Sequence, residues 1–256
     1  VGYSTKVEED APKTLTLPQH FKQNGYYTVS IGKVFHHQFD RKESWSEAPW
    51  RPQSLPGEDW RNYLLDEEGH FKGRSTEGFI PATECADVVD SSYYDGKFCE
   101  RAINKLRSMK DREQPFFLAV GFLKPHLPFN APKKYWDLYD RDKLPMAEND
   151  CPPKNAPKSA IHNWGELRAY TDIPKKGRLS DEKARELVHG YYACVSYTDA
   201  LIGELTKELE RLGLKDDTVI VLWGDHGWNL REHGLWCKHC NFETSLHAPL
   251  IVVDPD

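Results

Sequence analysis

Three short runs gather side chains suited to an anion or a metal ion. They are Gly32-Lys33-Val34-Phe35-His36, Lys124-Pro125-His126 and Gly224-Asp225-His226-Gly227-Trp228. The third leads into Arg231-Glu232-His233-Gly234 and then Trp236-Cys237-Lys238. Lysine supplies a fixed cation for an oxyanion, and histidine binds a metal or moves a proton near neutral pH. Aspartate flanked by glycine ligates a cation where the backbone must come close. Such a rim suits a substrate that carries a tetrahedral anion, sulfate or phosphate. Taken singly, each residue has a plainer reading. A lone lysine after a strand is ordinarily solvated, and Asp-His-Gly alone is a turn as often as a site. Their weight comes from placement, because each run follows a predicted strand.

Those strands are the apolar runs at 26–31, 116–120 and 218–223, with a fourth at 250–253. Continuous apolar runs read as strands buried on both faces. Helices separate them. Thr16 caps a short one, with Pro18 in its first turn and Gly25 past its end. A second covers 90–110, with Phe98, Ala102, Ile103 and Leu106 on one face. A third starts at Ser180 with Asp181 and Glu182 in its first turn. Leu187, Tyr191, Cys194, Val195, Leu201, Ile202, Leu205 and Leu209 form its stripe, and Gly213 ends it. Strands alternating with helices predict an α/β fold, a mostly parallel sheet sandwiched between helices. Ligands of such a sheet lie beyond the carboxyl ends of its strands. Residues 38–86 and 125–179 lack a period and read as irregular, with 38–86 and 143–179 as loops on the substrate side. Trp45, Trp50 and Trp60 in the first loop are a sugar platform or, at least as well, loop packing.

The composition narrows the partners. With 34 Lys+Arg against 40 Asp+Glu the net charge is −6, which argues against nucleic acid as a partner. No apolar run approaches the ~18 residues of a membrane span. Six cysteines, Cys85, Cys99, Cys151, Cys194, Cys237 and Cys240, are too few for a disulfide scaffold. Cys237 and Cys240 have the spacing of half a zinc site, but no second C-x₂-C exists, so structural zinc is not expected. His37, His239 and His247 read as packing or capping residues. The chain opens on Val1-Gly2-Tyr3-Ser4-Thr5 and closes on a strand, so both ends read as cut from a longer protein.

Taken in order, Gly32-Lys33-Val34-Phe35-His36, Lys124-Pro125-His126, Asp225-His226-Gly227-Trp228, Glu232-His233-Gly234 and Trp236-x-Lys238 resemble the sulfatase family, particularly its iduronate-sulfatase branch. The stretch from Thr5-Lys6-Val7-Glu8 to Thr16-Leu17-Pro18 is similar to that branch too. The resemblance covers nearly the whole chain and is weakest over 38–86 and 143–179. It implies an alkaline-phosphatase-like fold and hydrolysis of sulfate esters on sulfated sugars or glycosaminoglycans. It also implies that residues 1–256 are the central part of a single catalytic domain. The family's nucleophile is a formylglycine made in a C-x-P-S-R motif, and its cofactor is one calcium ion. By resemblance, Lys33 and His36 hold the formylglycine and the sulfate, while His126 and Lys238 contact sulfate oxygens and protonate the leaving alcohol. Asp225 and His226 match calcium ligands. Trp228 matches a position near the sugar, and His233 joins it as a substrate contact.

The sequence also departs from the family. It contains no C-x-P-S-R, and its first strand region lacks the Asp-Asp pair that supplies the remaining calcium ligands; in the family both lie upstream. The chain taken alone is therefore expected to be inactive. Arg231 stands where the family's Gly-Glu-His-Gly has glycine, and Cys237 is a change beside Lys238. Two other readings compete: a phosphodiesterase or phosphonate hydrolase of the same superfamily, and a sulfated-glycan-binding protein without turnover. The absence of any N-x-[ST] sequon favours a periplasmic or secreted bacterial protein over a lysosomal one. Oligomeric state is not encoded in any of these patterns.

Overall fold

The computed structural model describes residues 6–38, 40–52, 61–64 and 81–255. Trp60, most of the 53–80 stretch and the opening Val1–Thr5 lie outside the described residues. In chain order the regular elements are α1 (Val7–Asp10), α2 (Leu17–Gln23), β1 (Tyr27–Gly32), β2 (Thr83–Ala86), α3 (Tyr94–Met109), β3 (Phe116–Gly121), β4 (Phe129–Pro132), α4 (Lys133–Trp136), α5 (Asp181–Arg211), β5 (Ile220–Trp223), β6 (Asn229–Leu230), β7 (Trp236–Cys237), α6 (Glu243–Leu246) and β8 (Leu250–Val253). They fall into two compact units. One holds Val1–Trp60, Asp90–Leu123 and Thr198–Leu214, and the other Arg61–Val89, Lys124–Tyr197 and Lys215–Asp256. No described helix is long and apolar enough to cross a membrane.

In the first unit the expected local signals operate. Thr16 Oγ1 accepts the Gln19 N–H at 3.3 Å, and Pro18 sits in the first turn of α2. β1 and β3 pair in parallel, from Tyr27 opposite Phe116 to Gly32 opposite Gly121. At the last rung only glycine fits: a Cβ on Gly32 would lie 2.2 Å from the Gly121 carbonyl oxygen, and one on Gly121 would lie 1.9 Å from that of Lys33. This crossing turns the chain sharply out of β1 into Lys33–His36. α3 packs on β1 and β3 through a stripe that includes Phe98, Ala102 and Leu106, all at most 2% exposed. β3 departs from expectation. It is half-buried along all six residues, not buried on both faces, and β1 is its only strand partner among the described residues.

The second unit holds two parts that the sequence pattern missed. β2 and β4 pair in parallel from Thr83 opposite Phe129 to Ala86 opposite Pro132, although both lie in stretches read as irregular. Neither announces itself: Thr-Glu-Cys-Ala has no apolar run, and β4 ends in proline, which depresses any strand reading. β5 and β8 pair antiparallel, against the parallel expectation. They are not buried either, with Trp223 57% and Leu250 67% exposed. Ser180 Oγ accepts the Lys183 N–H at 3.2 Å to cap α5, whose Leu187, Cys194 and Tyr197 are fully buried. Val195, expected in the apolar stripe, is instead exposed.

Candidate active site

Lys33 and His36 belong to the first unit. The turn that carries them is fastened through its main chain. Gly32 N–H donates to Trp50 O at 2.9 Å and Lys33 N–H to Gly121 O at 2.7 Å. The Arg51 guanidinium, 9% exposed, reaches across the turn. It donates to Gly32 O at 2.8 Å, to His36 O at 3.4 Å and to Phe35 O. Burial lowers Arg51 to about 10, still a cation at neutral pH. The His36 ring meets His37 edge-on at 5.0 Å, and both line an open cleft of about 520 Å³ with Lys6 and Lys42. Trp45, 3% exposed and against Phe35 at 5.8 Å, is packing and not a sugar platform.

His126, Asp225, His226, Trp228 and Lys238 belong to the second unit. Lys124, the other basic residue of its run, is buried and donates to Pro128 O at 2.5 Å, so it fastens the loop before β4. His126 Nδ1 lies 2.8 Å from Leu127 O. A carbonyl only accepts, so Nδ1 carries a proton and Nε2 is the working nitrogen. Nε2 is 2.6 Å from Lys238 Nζ. Both meet Glu166, whose Oε1 is 2.8 Å from His126 Nε2 and 2.9 Å from Lys238 Nζ. Burial would raise the Glu166 carboxyl, but the hydrogen bonds and charges of His126 and Lys238 outweigh it and hold it at about 2. His239, read from sequence as a bystander, approaches the same carboxylate at 3.8 Å.

Trp228 forms the floor of this cluster. Its ring is 8% exposed, 5.3 Å from the His126 ring, and the Lys238 ammonium lies 4.9 Å over it. It therefore packs and holds a cation, and only a small remaining edge suits the expected sugar contact. His233 stacks on Phe242 at 4.2 Å and donates its N–H to Asn149 O at 2.7 Å. Asn229, fully buried between Trp228 and β7, donates to Cys237 O and Ser245 Oγ, each at 2.7 Å, and so fixes the turn that delivers Lys238. Cys237 and Cys240 are free thiols, and burial pushes Cys237 up, away from a metal-binding thiolate.

The Asp225–His226 pair suits part of a cation site. His226 Nε2 lies 3.7 Å from Asp225 Oδ1, and its Nδ1 faces Gly227 O at 2.7 Å, so Nε2 is the nitrogen that could ligate a cation. Burial, with the Lys238 and His126 charges, lowers His226, so it stays neutral as a ligand must. Calcium takes ~6–8 ligands, ordinarily oxygen, so Asp225 fits it better than the His226 nitrogen. No group of three or more His, Cys, Asp or Glu suited to a metal occurs among the described residues, so this pair would supply only a minority of such a shell.

Two residues of these arrangements carried no sequence signal. Glu166 lies in a loop without period, 40 residues from His126 in number but joined to it in space. Arg51 is a single arginine among prolines.

The family model described as Sulfatase matches residues 1–256. The human iduronate 2-sulfatase is 35% identical over 252 residues, which are 94% of this chain and 45% of that protein. The chain spans about half the length of the curated relatives it matches. Among solved structures, one holding its substrate D-glucosamine-2-N,6-O-disulfate superposes with a TM-score of 0.67 at 19% identity, over 99% of this chain and 57% of that one. The phosphonate monoester hydrolase of Silicibacter pomeroyi gives 0.65 at 18% identity, over 95% of this chain and 53% of that one. The fold is that of the alkaline-phosphatase-like α/β proteins.

Proposed function

Because the chain belongs to the sulfatase family, we propose that the protein containing it hydrolyses sulfate esters of sugars, glycosaminoglycan units of the iduronate 2-sulfate type foremost. The observation that carries this reading is the meeting of His126 Nε2 and Lys238 Nζ at 2.6 Å. An ammonium and an imidazole nitrogen, side by side, suit a sulfate oxygen and a departing alkoxide together. In this reading Lys238 and His126 bind sulfate oxygens and deliver a proton to the leaving oxygen as the S–O bond breaks. Lys33 and His36 take the roles the resemblance gives them, holding the sulfate and the nucleophile. A formylglycine would supply that nucleophilic oxygen, and calcium, which Asp225 and His226 would hold in part, would supply Lewis acidity toward the sulfate. Trp228 fixes Lys238 from below. The substrate class and the family's usual setting favour a periplasmic or secreted protein.

The test assays the full-length protein, with formylglycine verified by mass spectrometry, on a sugar 2-O-sulfate, an aryl sulfate and a phosphonate monoester. Sulfate release is expected from the first two. A preference for the phosphonate would favour the phosphohydrolase reading. Binding of the sulfated sugar without release of sulfate would leave a glycan-binding protein.

A further inference from the structure

Glu166 sits on a built turn. Its neighbours Trp164 and Leu167 are 7% and 1% exposed, and the Arg168 guanidinium lies 3.5 Å over the Trp164 ring while donating to Asn163 O and Gly177 O. The backbone at Glu166 is thereby fixed from both sides, and its side chain, 22% exposed, is directed at Lys238 and His126. Oε1 and Oε2 take the Lys238 ammonium at 2.9 and 3.1 Å.

Resting on the sulfatase reading of His126 and Lys238, we propose that Glu166 is a positioning residue of the active site, its carboxylate aiming the Lys238 ammonium and the His126 imidazole at one point and balancing their charge. A lysine head on a four-carbon stem is a poor preorganised donor by itself, since its rotamers must be frozen. Two carboxylate bonds, His126 and the Trp228 face freeze it before substrate arrives. The charge argument is independent of the aiming. Lysine only donates, so beside it a neutral His126 is satisfied as an acceptor at Nε2. Once His126 carries a second proton, an imidazolium faces an ammonium, and the pair requires a counter-charge. Glu166 Oε1 lies within hydrogen-bond reach of both nitrogens, so either arrangement of protons has a partner. Among the described residues His239, His226, His162 and Cys237 also surround the cluster; none is an anion, since burial pushes the Cys237 thiol up.

The role predicts a split that a merely structural residue would not give. In the full-length protein, Glu166→Gln keeps the shape and removes the charge. Its kcat on a sugar sulfate is expected to fall roughly 10–100-fold. Its KM should stay level or fall, and inorganic sulfate should inhibit and thermally stabilise it more strongly, because a negative charge beside the anion seat is gone. Glu166→Asp keeps the charge and should recover part of kcat. It also serves alone, read against wild type, should the Gln variant fail to fold. Wild-type kcat in Glu166→Gln, or a raised KM with weaker sulfate protection at unchanged kcat, would overturn the proposal. Lys238→Ala and His126→Ala are run in parallel. If they lose turnover while Glu166→Gln keeps it, the positioning role alone is wrong. If both keep wild-type turnover, the reading of the site falls and the positioning role with it.

Discussion

The Lys33–His36 turn and the His126–Lys238 cluster both present cations, but they are held by opposite means. The turn is fixed through its backbone. A glycine crossing at Gly32 and Gly121 forces the chain out of β1, and Arg51 collects three carbonyls behind it. The cluster is fixed through side chains, with His126 and Lys238 from two separate segments meeting on the carboxylate of Glu166 from a third, and Trp228 lying beneath them. A backbone-held site tolerates changes in its display residues and fails when its clamp is lost. A side-chain-held site is sensitive at every member. Mutations that separate fold from turnover distinguish the two.

The largest effects are expected in the cluster. Lys238→Ala and His126→Ala should each lower kcat of the full-length protein about 10²–10³-fold, or ~3–4 kcal/mol, through the transition state. The leaving oxygen gains its charge only as the bond breaks, so losses should be greater on sugar sulfates than on an aryl sulfate, whose phenolate needs little help. Equal losses on both esters would leave these residues as sulfate binders only.

Arg51 is the corresponding test of the turn. Arg51→Met removes a buried charged donor from three carbonyls and is expected to cost about 2–4 kcal/mol of stability. Arg51→Lys should recover less than half, since an ammonium cannot span the three acceptors that the guanidinium fork does. Chemical unfolding of the variants reads this directly. Stability within about 0.5 kcal/mol of wild type in Arg51→Met would dismiss the clamp.

The cluster's electrostatics give a pH dependence. The Glu166 carboxyl sits at about 2 in the folded protein against an ordinary 4.5. A depressed carboxyl stabilises the fold in full above its unfolded value and loses that contribution as pH falls through the folded one. The window therefore runs from about pH 5 down to about pH 2, and the contribution is at most ~3 kcal/mol. The stability gap between wild type and Glu166→Gln should narrow as pH falls from about 6 to about 3. A gap that stays constant would show that the carboxylate is not charge-paired in the fold.

What could be read from the sequence follows the same division. Gly32, Lys33 and His36 were legible because a β-branched strand, a glycine and a basic turn are local signals in one short run. α2, α3 and α5 were legible through capping and a 3.6-residue stripe. Asp225, His226 and Lys238 were legible as motifs. Glu166 was not, because its meaning depends on a contact made across a loop with no period. β2 and β4 were hidden for a related reason: four-residue strands, one ending in Pro132, pair through register and not through apolar runs. β5 and β8 read as buried because Val, Leu and Ile say only that a face should be covered. In the described structure their outer faces are exposed.

The smallest expected effect lies at Arg231, where the resemblance places glycine. Its φ of +88° and ψ of −8° are backbone values that glycine adopts freely and other residues resist at a cost of roughly 1–2 kcal/mol. The side chain offsets this by pairing with Asp150 at 2.9 Å and Asp181 at 2.7 Å, and Asp150 also holds Arg178 at 2.6 Å. Asp181 is 79% exposed, so that pair contributes little, and the partly covered Asp150 pair contributes about 1 kcal/mol at most. Arg231→Gly removes strain and ion pairs together and loosens the unfolded chain. The three contributions nearly cancel, and the net change should be under about 1 kcal/mol. Arg231→Ala keeps the strain and loses the pairs, so it should be the less stable of the two variants by about 1 kcal/mol. Thermal unfolding of wild type and both variants at low and high salt checks the ordering. Wild type alone should lose its margin as salt rises, because its compensation is ionic. If Arg231→Ala proves as stable as Arg231→Gly, the left-handed backbone carries no strain there and the aspartates are not what keeps arginine in place.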